Sequence, residues 1–225
     1  MRNIFQAQWA ACLLAATLLG GCATPAKYDY AAFRSSRPAS ILVLPPLNNS
    51  PDINATYSML AQATLPLAES GYYVLPVTLV DETFKQNGVS SPADIHQLPL
   101  AKLREIFGAD AVLYINIKQY GTTYAVIVSE TRVTAEGRLV DLKTGQTLWT
   151  GTATASSNEG NNNSGGGLVG LLVKAVISQI ADTLSNRGHG IAGITSQRLL
   201  AAGRPNGILF GPRSPHYLKD GSPTP

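Results

Sequence analysis

Apolar and polar positions in this chain follow two rhythms. Ile41-Leu42-Val43-Leu44 is a continuous apolar run stopped by Pro45-Pro46, which predicts a short strand buried on both faces. Asn48-Asn49-Ser50-Pro51 reads as loop, with Ser50 as helix N-cap and Pro51 at the first helical position. The helix that follows places Ile53, Tyr57, Leu60, Thr64 and Leu67 on one face. Pro66 is expected to kink or shorten it, and Gly71 to end it in the left-handed conformation. Residues 72–75 then read as a second strand. Strand, helix, strand is a βαβ unit, so the two strands should be parallel with a right-handed crossover.

Residues 78–86 predict a short helix ended by Asn87-Gly88, and Ser91-Pro92 opens another helical turn. Leu100, Leu103, Ile106 and Phe107 form a helical stripe that stops at Gly108. Residues 111–118 alternate as a strand, and Gly121-Thr122 reads as a turn. Residues 124–140 are rich in β-branched side chains and should bend around Ala135 to Gly137. Asp141-Leu142-Lys143-Thr144-Gly145 is a hairpin turn, and residues 146–155, with Trp149, form the return strand. The three strands make an antiparallel meander. The expected fold class is α/β with α+β character: a two-layer mixed β-sheet with a βαβ start, the meander, and helices on one face.

Residues 156–167, SSNEGNNNSGGG, read as a low-complexity linker. Residues 168–184 follow as a very apolar helix whose charges are Lys174 and Asp182. Two roles stand open for it: packing on the exposed sheet face, or insertion into a membrane or a partner. Residues 187–225 read as a Gly/Pro-rich basic extension of the domain at 40–186. From Ser185 onward the chain holds five Lys or Arg against one Asp. Such an extension either steers toward anionic partners or lies solvated over the domain.

The start of the chain reads as an address. Arg2 is followed by an apolar stretch from Trp9 to Leu19 and by Gly20-Gly21, the order of a secretory signal covering residues 1–21. The run is too short to span a bilayer comfortably. Leu19-Gly20-Gly21-Cys22 resembles the bacterial lipobox. That resemblance implies a diacylglycerol on the Cys22 sulfur, cleavage before the cysteine and acylation of the new amine. Ala23, where a retained lipoprotein would carry Asp, implies sorting to the outer membrane. With Cys12 removed and Cys22 alkylated, the mature chain keeps no thiol for a disulfide, a nucleophile or a metal. Residues 22–39 read as a lipidated tether whose seventeen residues after the cysteine reach at most about 55 Å. Tyr28, Tyr30 and Phe33 within it either anchor on a partner or the bilayer interface, or pack on the protein's own domain.

Composition narrows the chemistry. The chain has 225 residues, 44% hydrophobic and 14% charged, which is core-forming and excludes a disordered polyelectrolyte. A net charge of +3 is too small to argue for nucleic acid, and no basic-aromatic stripe supports it. Gly188-His189-Gly190-Ile191-Ala192-Gly193 matches the glycine spacing of a dinucleotide site but follows a helix rather than a strand, so a flexible helix terminator is the better reading. His96, His189 and His216 have no partner at helical metal-ligand spacing. Asp81-Glu82 diverge around a helix and cannot flank one bond. No serine-hydrolase elbow or P-loop occurs. The expectation is a protein that is not an enzyme, with no catalytic, metal or cofactor residue, and with Cys22 as its one modified site.

The lipobox, the ILVLPP strand, the GADAVLYINI strand and the VDLKTGQTLWTG hairpin together resemble a family of Gram-negative outer-membrane lipoproteins of unknown function, catalogued as surface-antigen candidates. The resemblance runs from about Ile41 to Leu218. It implies a domain similar to the N-terminal domain of TolB and the periplasmic domain of CsgG. It also implies a CsgG-like lipoprotein and a further small lipoprotein as companions, with a homo-oligomer as a further option. The chain lacks the two long amphipathic hairpins with which CsgG builds its barrel. The expected function is a non-enzymatic accessory subunit of a secretion, transport or envelope-assembly complex, lipid-anchored at the outer membrane and facing the periplasm. The alternative is a cell-wall or small-ligand binder using the basic extension or the strand switch point around Pro45 to Ser50 and Val77.

Overall fold

The computed structural model describes residues 28–124, 129–159 and 184–220. Their helices are α1 (Ala31–Ser36), α2 (Ala55–Glu69), α3 (Val77–Gln86), α4 (Pro92–Ile95), α5 (Leu100–Phe107) and α6 (Leu184–Leu200). Their strands are β1 (Ser40–Val43), β2 (Leu47–Asn48), β3 (Tyr73–Val74), β4 (Ala111–Tyr124), β5 (Ser129–Asp141) and β6 (Thr147–Ser156). They form one mixed sheet in the order β3-β1-β4-β5-β6, and β2 continues the line of β1 along β4 after the Pro45-Pro46 interruption. β1 is parallel to both β3 and β4, while β4, β5 and β6 are the antiparallel meander.

The continuous apolar run in β1 needs cover on both faces, and it has it. Ile41 and Val43 enter a core with α1, α2 and α6, whereas Leu42 and Leu44 enter a second core with α3, α4 and α5. Helices on one face therefore describe the meander, where α6 lies across the sheet. Over the parallel half a second helical layer covers the other face. The uncovered face of the meander carries Asn116, Lys118, Glu136, Arg138, Thr150 and Thr152, as an antiparallel sheet with one wet side requires.

Two strand irregularities aim large side chains. Pairing shifts between Ile117 and Gln119, so Ile117 and Tyr120 both face the first core. A second shift lies between Leu139 and Val140, so Leu148 and Trp149 are both buried. The Trp149 ring lies over Gly137 and Gly151, which are cross-strand partners. A Cβ on Gly151 would stand 2.2 Å from Trp149 Cζ2, and one on Gly137 3.1 Å from Cζ3. The indole N–H donates to the Asn206 carbonyl, 3.0 Å away.

Several expectations are corrected. α2 starts at Ala55 because the Ser50 N–H and hydroxyl both donate to Asn48 Oδ1, closing an Asx turn instead of capping a helix. Ile53 and Tyr57 are exposed, and the buried face is Ser58, Met59, Leu60, Ala63 and Leu67. α2 continues past Pro66 to Glu69, and Gly71 does take a positive φ of 94°. β4 passes through Gly121-Thr122 without turning, and the glycine absorbs the distortion at φ 132°. α6 crosses the expected boundary at residue 186, burying Ile191, Ala192, Leu199 and Leu200, so the start of the expected extension is core. The apolar segment 168–184 lies outside the described residues apart from Leu184.

Gly151→Ala is expected to displace Trp149 and cost about 1–3 kcal/mol, as overpacking does. Urea unfolding followed by fluorescence of Trp149, the sole tryptophan after Trp9, measures it.

Candidate functional site

Both ends of the described chain converge on one surface. Tyr28 N–H donates to Asn206 Oδ1, and Tyr28 Oη accepts the Thr150 N–H from the outer edge of β6. The Tyr28, Tyr30 and Phe33 rings form a series with centroids 4.9 and 6.4 Å apart. Tyr30 donates its hydroxyl to the Gly207 carbonyl, and Phe33 is buried in the first core. Of the two readings of these aromatics, packing on the protein's own domain is the one observed. The segment after α6 is pinned equally firmly. Gly211 N–H donates to Ser70 O and Arg213 N–H to Gly71 O, while the Tyr72 hydroxyl donates to Leu209 O. Gly211 and Gly71 meet so closely that a Cβ on Gly211 would be 2.6 Å from Gly71 O.

A cavity of about 180 Å³ lies between these two segments. Phe33, Pro38, Tyr72, Leu209, Phe210 and Tyr217 give it an apolar wall, and Arg34, Arg37 and Asp220 give it charge. Arg37 and Leu218, both on its rim, have left-handed φ values of 49° and 62°, a conformation non-glycine residues rarely hold. Burial pushes the Asp220 carboxyl above its ordinary range, against the opposing pull of the Phe210 N–H and Arg34. Burial likewise pushes the Tyr72 hydroxyl far up, so it stays protonated and donating.

A second cluster is assembled from α2, β4 and α6. His189 Nδ1 lies 2.9 Å from Ser58 Oγ, and the Gln62 amide nitrogen donates to His189 Nε2 at 2.7 Å. Tyr120 donates its hydroxyl to the same Ser58 oxygen at 2.8 Å. Ser58 Oγ thus lies between the His189 ring and the Tyr120 hydroxyl. The glycines around His189 have a packing role. A Cβ on Gly188 would come within 2.8 Å of the Tyr120 ring, and one on Gly193 within 3.2 Å of Gln62. They are a seam inside a continuous helix, which corrects their reading as a helix terminator. Beside this cluster runs an open polar groove of about 400 Å³ formed by Asn49 to Asp52 and Lys118 to Thr123.

At the strand switch point the polar groove takes in Asn49 and Ser50. His96 lies beside Pro45, donating from Nε2 to its carbonyl at 2.9 Å and meeting Tyr114 edge-on, while the Arg138 guanidinium covers the Tyr114 ring. Burial pushes the His96 ring below its ordinary pKa, the Pro45 carbonyl pulls it up, and Arg138 adds to the lowering. Asp81 pairs with Lys85 one helical turn away, and Glu82 accepts from Gln86, so the two carboxylates diverge. His216 stacks on Phe210. Cys22 lies outside the described residues. Sequence reasoning missed Ser58, Gln62 and Tyr120. The only trace of them was a serine and a glutamine one turn apart on α2, and the strand bulge that aims Tyr120 leaves no mark in hydropathy.

A mixed sheet with a short parallel half and a wet meander face defines a mixed α/β domain, and comparison gives its family. Residues 28–213 match the family described as "Putative lipoprotein GNA1162-like", and the chain belongs to it. It is 52% identical over 186 residues to "Putative lipoprotein NMB1124/NMB1162" of Neisseria meningitidis serogroup B, covering 83% of this chain and 86% of that one. The crystal structure of lipoprotein GNA1162 from Neisseria meningitidis is 55% identical, with a TM-score of 0.53, covering 65% of this chain and all of that one. A PelC dodecamer from Paraburkholderia phytofirmans, 15% identical with a TM-score of 0.43 over 78% of this chain and 93% of that one, is a looser likeness.

The lowered His96 pKa predicts a pH dependence. The unfolded chain takes up this proton near pH 6.5, before the folded one does, so stability is full above that value and falls as pH drops through the lower folded pKa. His96→Gln keeps a donor for Pro45 and is expected to flatten the slope below about pH 6.5 in denaturant titrations.

Proposed function

We propose that this chain is a lipoprotein anchored through acyl groups on Cys22 to the outer membrane, facing the periplasm. In this reading it is a non-enzymatic accessory subunit of a secretion, transport or envelope-assembly complex. The observation that carries the reading is the docking of Tyr28 to Phe33 on the domain. From Tyr28 back to Cys22 there are six peptide steps, which reach at most about 20 Å. The anchor therefore holds the folded body against its membrane rather than on the long leash that residues 22–39 suggested, and restricts it to neighbours in that layer. Three acyl chains make release negligible, since each buried methylene contributes about 0.8 kcal/mol. Membership of a lipoprotein family supports the anchor. A CsgG-like lipoprotein is the first partner to look for, on the sequence resemblance.

Of the five cations from Ser185 onward, Arg198 is used within the fold, bonded to Thr154 O and paired with Glu159.

Cys22→Ala is expected to move the protein from the membrane to the soluble periplasmic fraction and to abolish incorporation of labelled palmitate. Crosslinking mass spectrometry on intact cells should recover envelope proteins with the wild type. Recovery of none under mild extraction rejects the accessory role.

A further inference from the structure

We infer that the surface formed by α1 and the segment after α6 lies on an anionic phospholipid leaflet. This rests on the anchor at Cys22 proposed above. Position is the first argument. The chain enters the domain at Tyr28, at most about 20 Å from the acylated cysteine, and the Tyr28-Tyr30-Phe33 series leads directly to this surface. Whatever lies beside that entry is close to headgroups.

Charge and shape are the second argument. The cations of the described ion pairs lie elsewhere: Lys85, Lys102, Lys118, Arg132 and Arg198. Arg34, Arg37, Arg204 and Lys219 are exposed on this surface and in none of those pairs, although Arg34 faces Asp220, Arg37 donates to Arg34 O and Lys219 to Pro215 O. Arg213 joins them, its guanidinium over the half-exposed Tyr73. The acids nearby are partly occupied. Asp110 accepts three hydrogen bonds from Ala39 and Ser40, and Asp141 accepts from Ser36, Lys143 and Thr144. Asp220 accepts the Phe210 N–H, and Asp29 and Glu69 remain exposed. Among the cations stand exposed apolar groups, Leu218 at 62% and Tyr73 at 48%. Guanidinium and ammonium groups around projecting apolar side chains suit an interface where lipid phosphates meet the first methylenes. The apolar cavity with Arg34 and Arg37 at its edge opens on the same surface.

The test uses the full chain, acylated in a Gram-negative host and reconstituted in vesicles. Leu218→Cys and Ile53→Cys each add one thiol for a fluorophore. Ile53 is 87% exposed at the opposite end of α2 from Gly71, about 22 Å away along the helix. A nitroxide quencher sits on the headgroups. In phosphatidylglycerol with phosphatidylethanolamine, quenching at 218 should exceed that at 53 by about twofold or more. The difference should collapse in phosphatidylcholine, in about 1 M salt, where the screening length is about 3 Å, and in an Arg34→Glu, Arg37→Glu variant with unchanged Trp149 emission. Equal quenching on floating vesicles, or a difference unchanged in phosphatidylcholine, overturns this inference alone. A chain that fails to float and takes a second label at Cys22 overturns the anchor, and this inference with it.

Discussion

The structure depends on the burial of β1 from both sides. Four consecutive apolar residues, Ile41 to Leu44, are fully buried, and alternate side chains feed opposite cores. Each such residue contributes about 1.5–3 kcal/mol when removed from water. A strand of that kind is stable only with a layer on each face. The remaining elements are the means of supplying those layers: α2 and α6 on one side, and the short helices α3 to α5 on the other. The meander extends this sheet outward, where a single covering helix suffices and the second face is left wet.

The chain ends complete the arrangement. Trp149 has no room on the sheet unless Gly137 and Gly151 lie beneath it, and no partner for its N–H unless the segment after α6 brings Asn206 to it. The same segment accepts Tyr30 at Gly207 and bonds to Ser70 and Gly71 through backbone groups. The N-terminal aromatics and the C-terminal loop thus hold each other. A segment that could have been a loose tether becomes part of the body from Tyr28 onward.

Much of the fold was legible. The βαβ start, the helix expected over residues 78–86, the stop at Gly108 and the Asp141 to Gly145 hairpin follow from local turn chemistry and short-period hydropathy. The site was much less so. Ser58, Gln62, Tyr120 and His189 come from three elements, and Tyr120 reaches Ser58 only because an extra residue in β4 changes which side it faces. Gly188 and Gly193 looked like breakers because glycine is costly in an isolated helix. In this helix they are tolerated because Tyr120 and Gln62 need their space.

By itself the sequence determined the mixed α/β class and the order of its parallel and antiparallel parts. These depend on spacing, alternation and turn residues, all local in the chain. Only the tertiary structure decided that residues 28–39 and 184–220 belong to the domain. Their apolar side chains are sparse and lie among Gly, Pro and charge, so no periodicity marks them. What holds them is contact with residues more than a hundred positions away, Tyr30 with Gly207 and Tyr72 with Leu209, and such pairs exist only once the sheet has brought the two ends together.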